Sequence, residues 1–330
     1  MKNILVTGGA GFIGSHLCDA LVSENHVIAL DNFLGGSQEN IAHLLPHPNF
    51  VFLKQNVNDL LELERLPELK KFKIKGIGIQ EVYHLASPTS PKQFERLRKE
   101  ILTTNSLGTL NVLELAKKYT AKFLLTSSSV VYGPRNTATA SFEETVLGCV
   151  DSVSSRACYD EGKRFAEAAA ATYQQVDGLE VKIARLGRVY GPRMPIADGH
   201  MIPDFILQAM AGKPLTIYGD GKFSTALLSV SDCVEALKRF MAAGKEVEVL
   251  NVASEDNHAI ADVAATIITL VGSSSKIVYE KPLLFMTELP MLDITRAKES
   301  MEWFPIVNLE EGLKQTIEYT KATKGVLHKY

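Results

Sequence analysis

The sequence predicts an α/β protein, a doubly wound parallel sheet with a smaller C-terminal region interleaved with it. Three observations carry this prediction. Short apolar runs alternate with longer amphipathic segments, the pattern of parallel strands with helices on both faces. Glycines at positions 8, 11 and 14 punctuate the join between the first run and the first amphipathic segment. After Gly187 the texture changes to Gly- and Pro-rich stretches carrying short elements.

In order, "NILVTG" reads as a buried strand and "FIGSHLCDALVSEN" as a helix. "HVIALDN", "NFVFLKQNV" and "EVYHLAS" follow as strands. "NSLGTLNVLELAKKY" has apolar residues at helical spacing and leads into the strand "KFLLTSSS". "DEGKRFAEAAAATYQQ" is Ala-rich and helical, and "VKIARLG" is again a strand. These assign residues 1–186 to one dinucleotide-binding unit and 187–330 mostly to a substrate-binding region. Elements around 226–253, the helix "VSDCVEALKRFMAA" and the strand "VEVLNVAS", are expected to return to the first unit. Two further helices, "AIADVAATIITLVG" and "NLEEGLKQTIEYTKAT", complete the chain. No linker-like stretch, internal repeat or low-complexity tract interrupts it.

The 330 residues suffice for a substantial core, and a net charge of −3 gives no basic excess that would point to nucleic acid. The four cysteines, Cys18, Cys149, Cys158 and Cys233, form no Cys-x-x-Cys pair. No His/Cys/Asp cluster has metal-ligand spacing, so no metal is expected. Scattered thiols fit a reducing compartment, and neither a signal peptide nor a membrane-length apolar run is present. A cytoplasmic protein without a membrane partner is the expectation.

In "VTGGAGFIG", Gly8 permits a tight turn, Gly11 lets a pyrophosphate approach the backbone, and Gly14 lets helix and strand pack closely. The helix start then offers unpaired N–H groups to phosphates. In this Rossmann arrangement Asp31, at the end of the second strand, can accept hydrogen bonds from both adenosine ribose hydroxyls. No Arg or Lys follows it in "DNFLGGSQEN", which favours NAD over NADP. Phe12 and Ile13 in the loop, Asn32 beside Asp31, and Asn105 are added as cofactor-binding candidates. So are Asn56 and Val57 at the end of the third strand and Leu85, Ala86 and Ser87 at the end of the fourth.

"RACYDEGKRFAE" places Tyr159 and Lys163 four positions apart, on one helix face. Alone, Tyr-x-x-x-Lys is a common accident. Ligands of a doubly wound sheet, however, sit beyond the carboxyl ends of its strands. The hydroxyl-tipped strand "KFLLTSSS" therefore shares a crevice with the glycine loop. Tyr159 can act as base, its pKa lowered by a nearby lysine cation and a bound nicotinamide. Lys163 can also hold the nicotinamide ribose, and Ser128 can orient a substrate hydroxyl.

On these motifs, with "YHLASP", "VYGP", "YGPRM" and "FILQAMAGKPLTIYGDG", the chain resembles the extended short-chain dehydrogenases/reductases, specifically the nucleotide-sugar epimerase/dehydratase family. Its motifs are most similar to those of UDP-glucuronate decarboxylases. The resemblance implies NAD, transient oxidation of a nucleotide sugar at C4, and a homodimer packed through the helices "NSLGTLNVLELAKKY" and "DEGKRFAEAAAATYQQ".

The substrate side departs from that family's pattern. Val130 stands where the resemblance calls for a glutamate, Thr225 where it calls for an arginine, Phe94 for a tyrosine and Arg188 for an asparagine. "LPMLDITRAK" puts Met291 and Leu292 in a segment that usually carries an arginine. Arg188 and Arg193 are the candidates to restore the lost positive charge, and Pro88 is a further substrate-side candidate. Valine cannot move a proton, so competent decarboxylation is doubtful, whereas 4-epimerisation needs only Tyr159, Lys163 and Ser128. An oxidoreductase of a more apolar secondary alcohol is the alternative, and a non-catalytic NAD-binding protein a third reading. His16, His84, Cys158 and Trp303 are read as structural.

Overall fold

The computed structural model describes residues 1–90, 94, 96–135, 141–196, 198–221, 223–282 and 288–327. The first half reads β1 Asn3–Thr7, α1 Phe12–Val22, β2 His26–Asp31, β3 Phe50–Lys54, α2 Ile74–Ile77 and β4 Glu81–His84. It continues with α3 Arg98–Thr103, α4 Thr109–Tyr119, β5 Lys122–Ser128, α5 Ala157–Asp177 and β6 Val181–Leu186. The second half runs β7 Arg188–Tyr190, α6 Met201–Met210, β8 Leu215–Tyr218, β9 Ser224–Ser229 and α7 Val230–Ala242. Then come β10 Val249–Val252, β11 Asn257–Ala259, α8 Ile260–Val271, β12 Ile277–Glu280, α9 Thr295–Met301 and α10 Leu309–Leu327.

Seven strands form one parallel sheet in the order β10-β6-β5-β4-β1-β2-β3. The order reverses at β1, which lies between β2 and β4, so a crevice opens beyond its carboxyl end. The strands are buried on both faces, as their unbroken apolar runs require. In β1, Ile4 and Val6 pack with Leu17 and Leu21 of α1 and Leu237 and Phe240 of α7. Leu5, pointing the other way, packs with Val112 and Ala116 of α4 and Ala166 and Ala170 of α5.

A second core gathers Phe205 and Ile206 of α6, Leu215 of β8, Leu227 of β9, Ile267 of α8 and Leu313 of α10. β12 pairs with β8 in parallel, and β7, β9 and β11 form a third small sheet. Of the elements around 226–253, β10 completes the large sheet and α7 covers it. β9 does not join it, because its partners are β7 and β11. The two sheets are one residue apart: β6 ends at Leu186, Gly187 donates to the Val252 carbonyl at 2.9 Å, and β7 starts at Arg188. The helix expected from Asn105 begins earlier, with α3 joined to α4 through a π-type turn at Thr104–Gly108. Among the described residues, no helix is long and apolar enough to cross a membrane.

Candidate active site

The glycine loop is built by close backbone approach. Gly8 sits at φ +72, and its N–H donates to the Leu30 carbonyl at 2.8 Å. A Cβ on Gly14 would lie 2.1 Å from the Gly8 carbonyl oxygen, so α1 can start there only with glycine. Gly11 caps α1 with no side-chain hydrogen bond. The first-turn N–H groups are thus left for a ligand in a cavity walled by Gly8, Gly11, Phe12, Ile13 and Gly14. Asp31 is buried on the same wall. Its carboxylate accepts from Ala10 N at 3.1 Å and Phe33 N at 2.8 Å. Burial raises its pKa, and these backbone hydrogen bonds oppose the rise.

Asn32, Asn56, Val57, Leu85, Ala86 and Ser87 line the same cavity, as does Gln55, which sequence reasoning missed. The Ser87 hydroxyl and the Gln55 carbonyl oxygen are buried with no hydrogen-bond partner in the protein. Buried polar atoms are seldom left so. With the glycine cradle and the Asp31 carboxylate, they fit a dinucleotide. The cavity volume, ≈ 1120 Å³, exceeds that of a single small-ligand pocket, commonly about 300–1,000 Å³. Asn105 is not on its wall. It is buried behind α5, where its amide donates to the Ile101 carbonyl at 2.9 Å and its side chain packs against Gly162, while its neighbour Thr104 reaches the cavity.

Tyr159 and Lys163 lie in the first two turns of α5 and face this cavity from one side. One turn further on, Glu167 clamps the helix to the sheet, accepting from Ser127 Oγ at 2.5 Å and from Arg185 at 3.0 and 2.8 Å. Ser128, at the end of β5, lines the cavity with Tyr159 and pulls the pKa of its hydroxyl down. Lys163 Nζ donates to the Thr126 carbonyl at 2.9 Å and stands 5.8 Å from the Tyr159 ring centroid.

The electrostatics differ from the sequence expectation. Burial pushes Tyr159 up to about 12, and the opposing pull comes from Ser128 and the Arg156 charge. Lys163 is itself desolvated and held down to about 8, with Glu167 acting against the fall. Arg156, not anticipated, pairs with Asp160 at 3.1 Å and lies over the Phe94 ring at 5.2 Å. Phe94 in turn packs on Tyr159, ring centroids 5.6 Å apart. The i, i+4 spacing of Arg156 and Asp160 was the available signal.

Pro88, Phe94, Val130 and Arg188 line the cavity beyond Tyr159. Val130 is buried in an apolar cluster with Phe94, Leu97, Ile101 and Tyr159. Arg188 opens β7 over the Phe223 ring, and burial pushes its guanidinium down to about 10, with the Arg156 charge adding to the effect. Arg193 is a correction. Its guanidinium pairs with Asp19 of α1 at 2.7 Å and is not on the cavity wall, because a closer carboxylate holds it elsewhere. Thr225 is a second correction. It is buried on β9 and faces a separate void of ≈ 20 Å³ with Ser129, Arg188, Met291 and Leu292. That space suits about one water. His84 is buried and neutral between Thr7 and Thr109, and Trp303 is in the core.

Also on the wall, and not foreseen, are Asp198 and His200 and an apolar group, Phe205, Ile217, Tyr218 and Phe223. These come from the Gly- and Pro-rich region, where no period marked a facing side.

Residues 4–253 match the NAD dependent epimerase/dehydratase family. UDP-glucuronic acid decarboxylase 1 of Xenopus tropicalis is 40% identical over 319 residues, covering 96% of this chain and 72% of the relative. UDP-glucuronic acid decarboxylase 5 of Arabidopsis thaliana is 37% identical over 325 residues, covering 98% and 90%. Among solved structures, the UDP-glucose 4-epimerase of Thermotoga maritima with UDP-glucose superposes at TM-score 0.85 and 30% identity, covering 98% of this chain and 99% of that one. The UDP-glucuronic acid 4-epimerase of Bacillus cereus, in complex with UDP-glucuronic acid and NAD, gives 0.84 at 28% identity, covering 97% and 99%.

Proposed function

The chain belongs to the NAD-dependent epimerase/dehydratase family, and from that premise we propose that it modifies a nucleotide sugar by transient oxidation at C4. UDP-glucuronate is the first candidate substrate. The observation that carries the proposal is that Ser128, Tyr159 and Lys163 line one cavity with the glycine cradle and Asp31. When bound, NAD supplies the hydride acceptor.

In this reading Tyr159 takes the proton of the C4 hydroxyl while Ser128 holds that oxygen in place. Lys163, fixed by the Thr126 carbonyl, keeps further N–H donors for the cofactor ribose. Phe94 closes the far side of the Tyr159 ring against water. Arg188 meets the diphosphate. It and Leu227 are register partners on β7 and β9, and residues 225 and 227 share a face of β9. A cation on β7 thereby reaches the space beside Thr225. Pro88 and Val130 shape the sugar site. Residues 1–186, with α7 and β10, form the cofactor unit, and the remainder forms the substrate region.

The test is Tyr159→Phe in the NAD-loaded protein. Turnover of a UDP-hexose or UDP-hexuronate is expected to fall about 10²–10⁴-fold with NAD affinity unchanged. Wild-type turnover in the variant, or no nucleotide-sugar binding at millimolar concentration, would sink the proposal. The apolar lining from Val130, Leu227 and Leu289 favours one second reading, an oxidoreductase of an apolar secondary alcohol. That reading requires net NADH formation, which a redox-neutral enzyme does not show.

Exposed Leu107 before α4 and Phe165 on α5 support a homodimer through these helices, which sedimentation would detect. The four cysteines are free thiols, which supports a reducing, cytoplasmic setting.

A further inference from the structure

Oxidation at C4 of a hexuronate places its carboxylate β to a ketone. Loss of carbon dioxide then breaks the C5–C6 bond, and the electron pair passes into an enolate across C4 and C5. The enolate must gain a proton at C5 before C4 can be reduced again. Tyr159 is engaged at the C4 oxygen, and Val130 has no proton to give.

Among the described residues the cavity wall carries one imidazole, His200, and it is clamped. Its Nδ1 lies 2.9 and 2.8 Å from the two carboxylate oxygens of Asp198, and its backbone N–H donates to Asp198 Oδ1 at 3.1 Å. Asp198 is fixed in turn, because Ser90 Oγ donates to its main-chain carbonyl at 2.8 Å. Ser90 is buried, Phe94 packs on Tyr159, and both Ser90 and Phe94 line the cavity that His200 lines. The Asp198–His200 segment and Tyr159 thus face one cavity. With Nδ1–H directed at the carboxylate, Nε2 is the atom that exchanges a proton with a ligand. Among the described residues, the other ionisable side chains lining this half besides Tyr159 are Arg156, Lys163, Arg188, Tyr190, Asp204, Tyr218, Asp220 and Glu288. Arg156 is ion-paired to Asp160, and the Asp204 backbone N–H donates to the His200 carbonyl at 3.2 Å.

We propose that His200, oriented by Asp198, is the proton donor to C5 after decarboxylation, which makes the substrate a nucleotide hexuronate. The inference rests on the nucleotide-sugar reading above and deepens it. In the step, the Nε2–H bond breaks, the C5–H bond forms from the enolate pair, and the neutral imidazole recovers its proton from solvent. His200 is the catalytic residue here, and Asp198 is a positioning residue.

The experiment incubates NAD-loaded protein with UDP-glucuronate in D2O. The expected product is a UDP-pentose carrying one deuterium at C5. His200→Gln should slow pentose formation about 10²-fold while reduced nicotinamide accumulates. Asp198→Asn should lower kcat less than His200→Gln does, with the KM for UDP-glucuronate unchanged. Thermal melting and NAD binding of both variants, with His200→Asn as a second imidazole-free variant, guard against a folding defect.

A wild-type rate and pH profile in His200→Gln would overturn the inference, leaving the pair as a loop clamp. A wild-type protein that returns the C4 epimer without deuterium overturns it as well, with the functional reading intact. A wild-type protein that binds NAD but neither binds nor oxidises UDP-glucuronate overturns both, before any variant is made.

Discussion

Replacing Arg188 by glutamine tests how the substrate half handles charge. The guanidinium lies against the Phe223 ring and near Arg156, and burial pushes it down to about 10. Against an ordinary guanidinium, that depression corresponds to about 3 kcal/mol of unfavourable desolvation and repulsion. The sign follows from linkage. The folded pKa lies below the unfolded one, so the penalty is fully present at neutral pH and fades only as pH rises through about 10. An anionic ligand that pairs with the guanidinium returns much of that energy on binding. Arg188→Gln should therefore raise the stability of the ligand-free protein by up to about 3 kcal/mol and weaken binding of a nucleoside diphosphate by up to about 100-fold. The two effects are opposite in sign, which a general loss of structure cannot mimic. Urea unfolding of the apo protein and calorimetric titration with UDP read them separately. Arg193→Gln is the control, since Asp19 holds that side chain off the cavity wall, and it should leave UDP affinity unchanged. Unchanged UDP affinity in Arg188→Gln would refute the assignment of Arg188 to the diphosphate.

Two further predictions concern the cofactor end. Gly14→Ala puts a Cβ 2.1 Å from the Gly8 carbonyl oxygen and 3.0 Å from Gly9 Cα, contacts with backbone that no side-chain rotation relieves. NAD affinity should fall more than about ten-fold, with about 1–3 kcal/mol of stability lost, and a variant binding NAD as wild type does would contradict the cradle. Lys163, held down to about 8, binds fewer protons when folded than when unfolded between that pH and the ordinary lysine value near 10.5. Apo stability should therefore rise with pH across this window relative to Lys163→Met, by up to about 1.4 kcal/mol per pH unit. Urea midpoints of the two proteins at about pH 8 and about pH 10 should diverge, and parallel midpoints would contradict the burial argument.

The legible parts of the molecule are those set by local spacing. Gly8, Gly11 and Gly14 act within one strand–turn–helix unit. Tyr159 and Lys163 share a helix face by period alone, and Asp31 and Ser128 sit where strands end. What escaped depends on partners remote in sequence. Arg193 is turned away by Asp19, 174 positions earlier. Thr225 is walled off by β7 and the segment around Met291. Asn105 resembled a cavity residue until the π-type turn set it behind α5. The pull of Arg156 on Tyr159 escaped because the Tyr-x-x-x-Lys pattern does not include position 156.

Gly187 has a consequence for recombination. β6 belongs to the seven-stranded sheet and β7 to the small one, yet a single residue joins them. A Cβ on that residue would stand 2.9 Å from the Ala253 side chain. A chimera spliced here would have to match two sheets at once, the Val249↔Ile183 register on one side and the Arg188↔Leu227 register on the other. The cofactor and substrate regions are thus poor cassettes for exchange at this joint. New specificities are better sought by changing side chains along β7 and β9 than by grafting a C-terminal half from a relative.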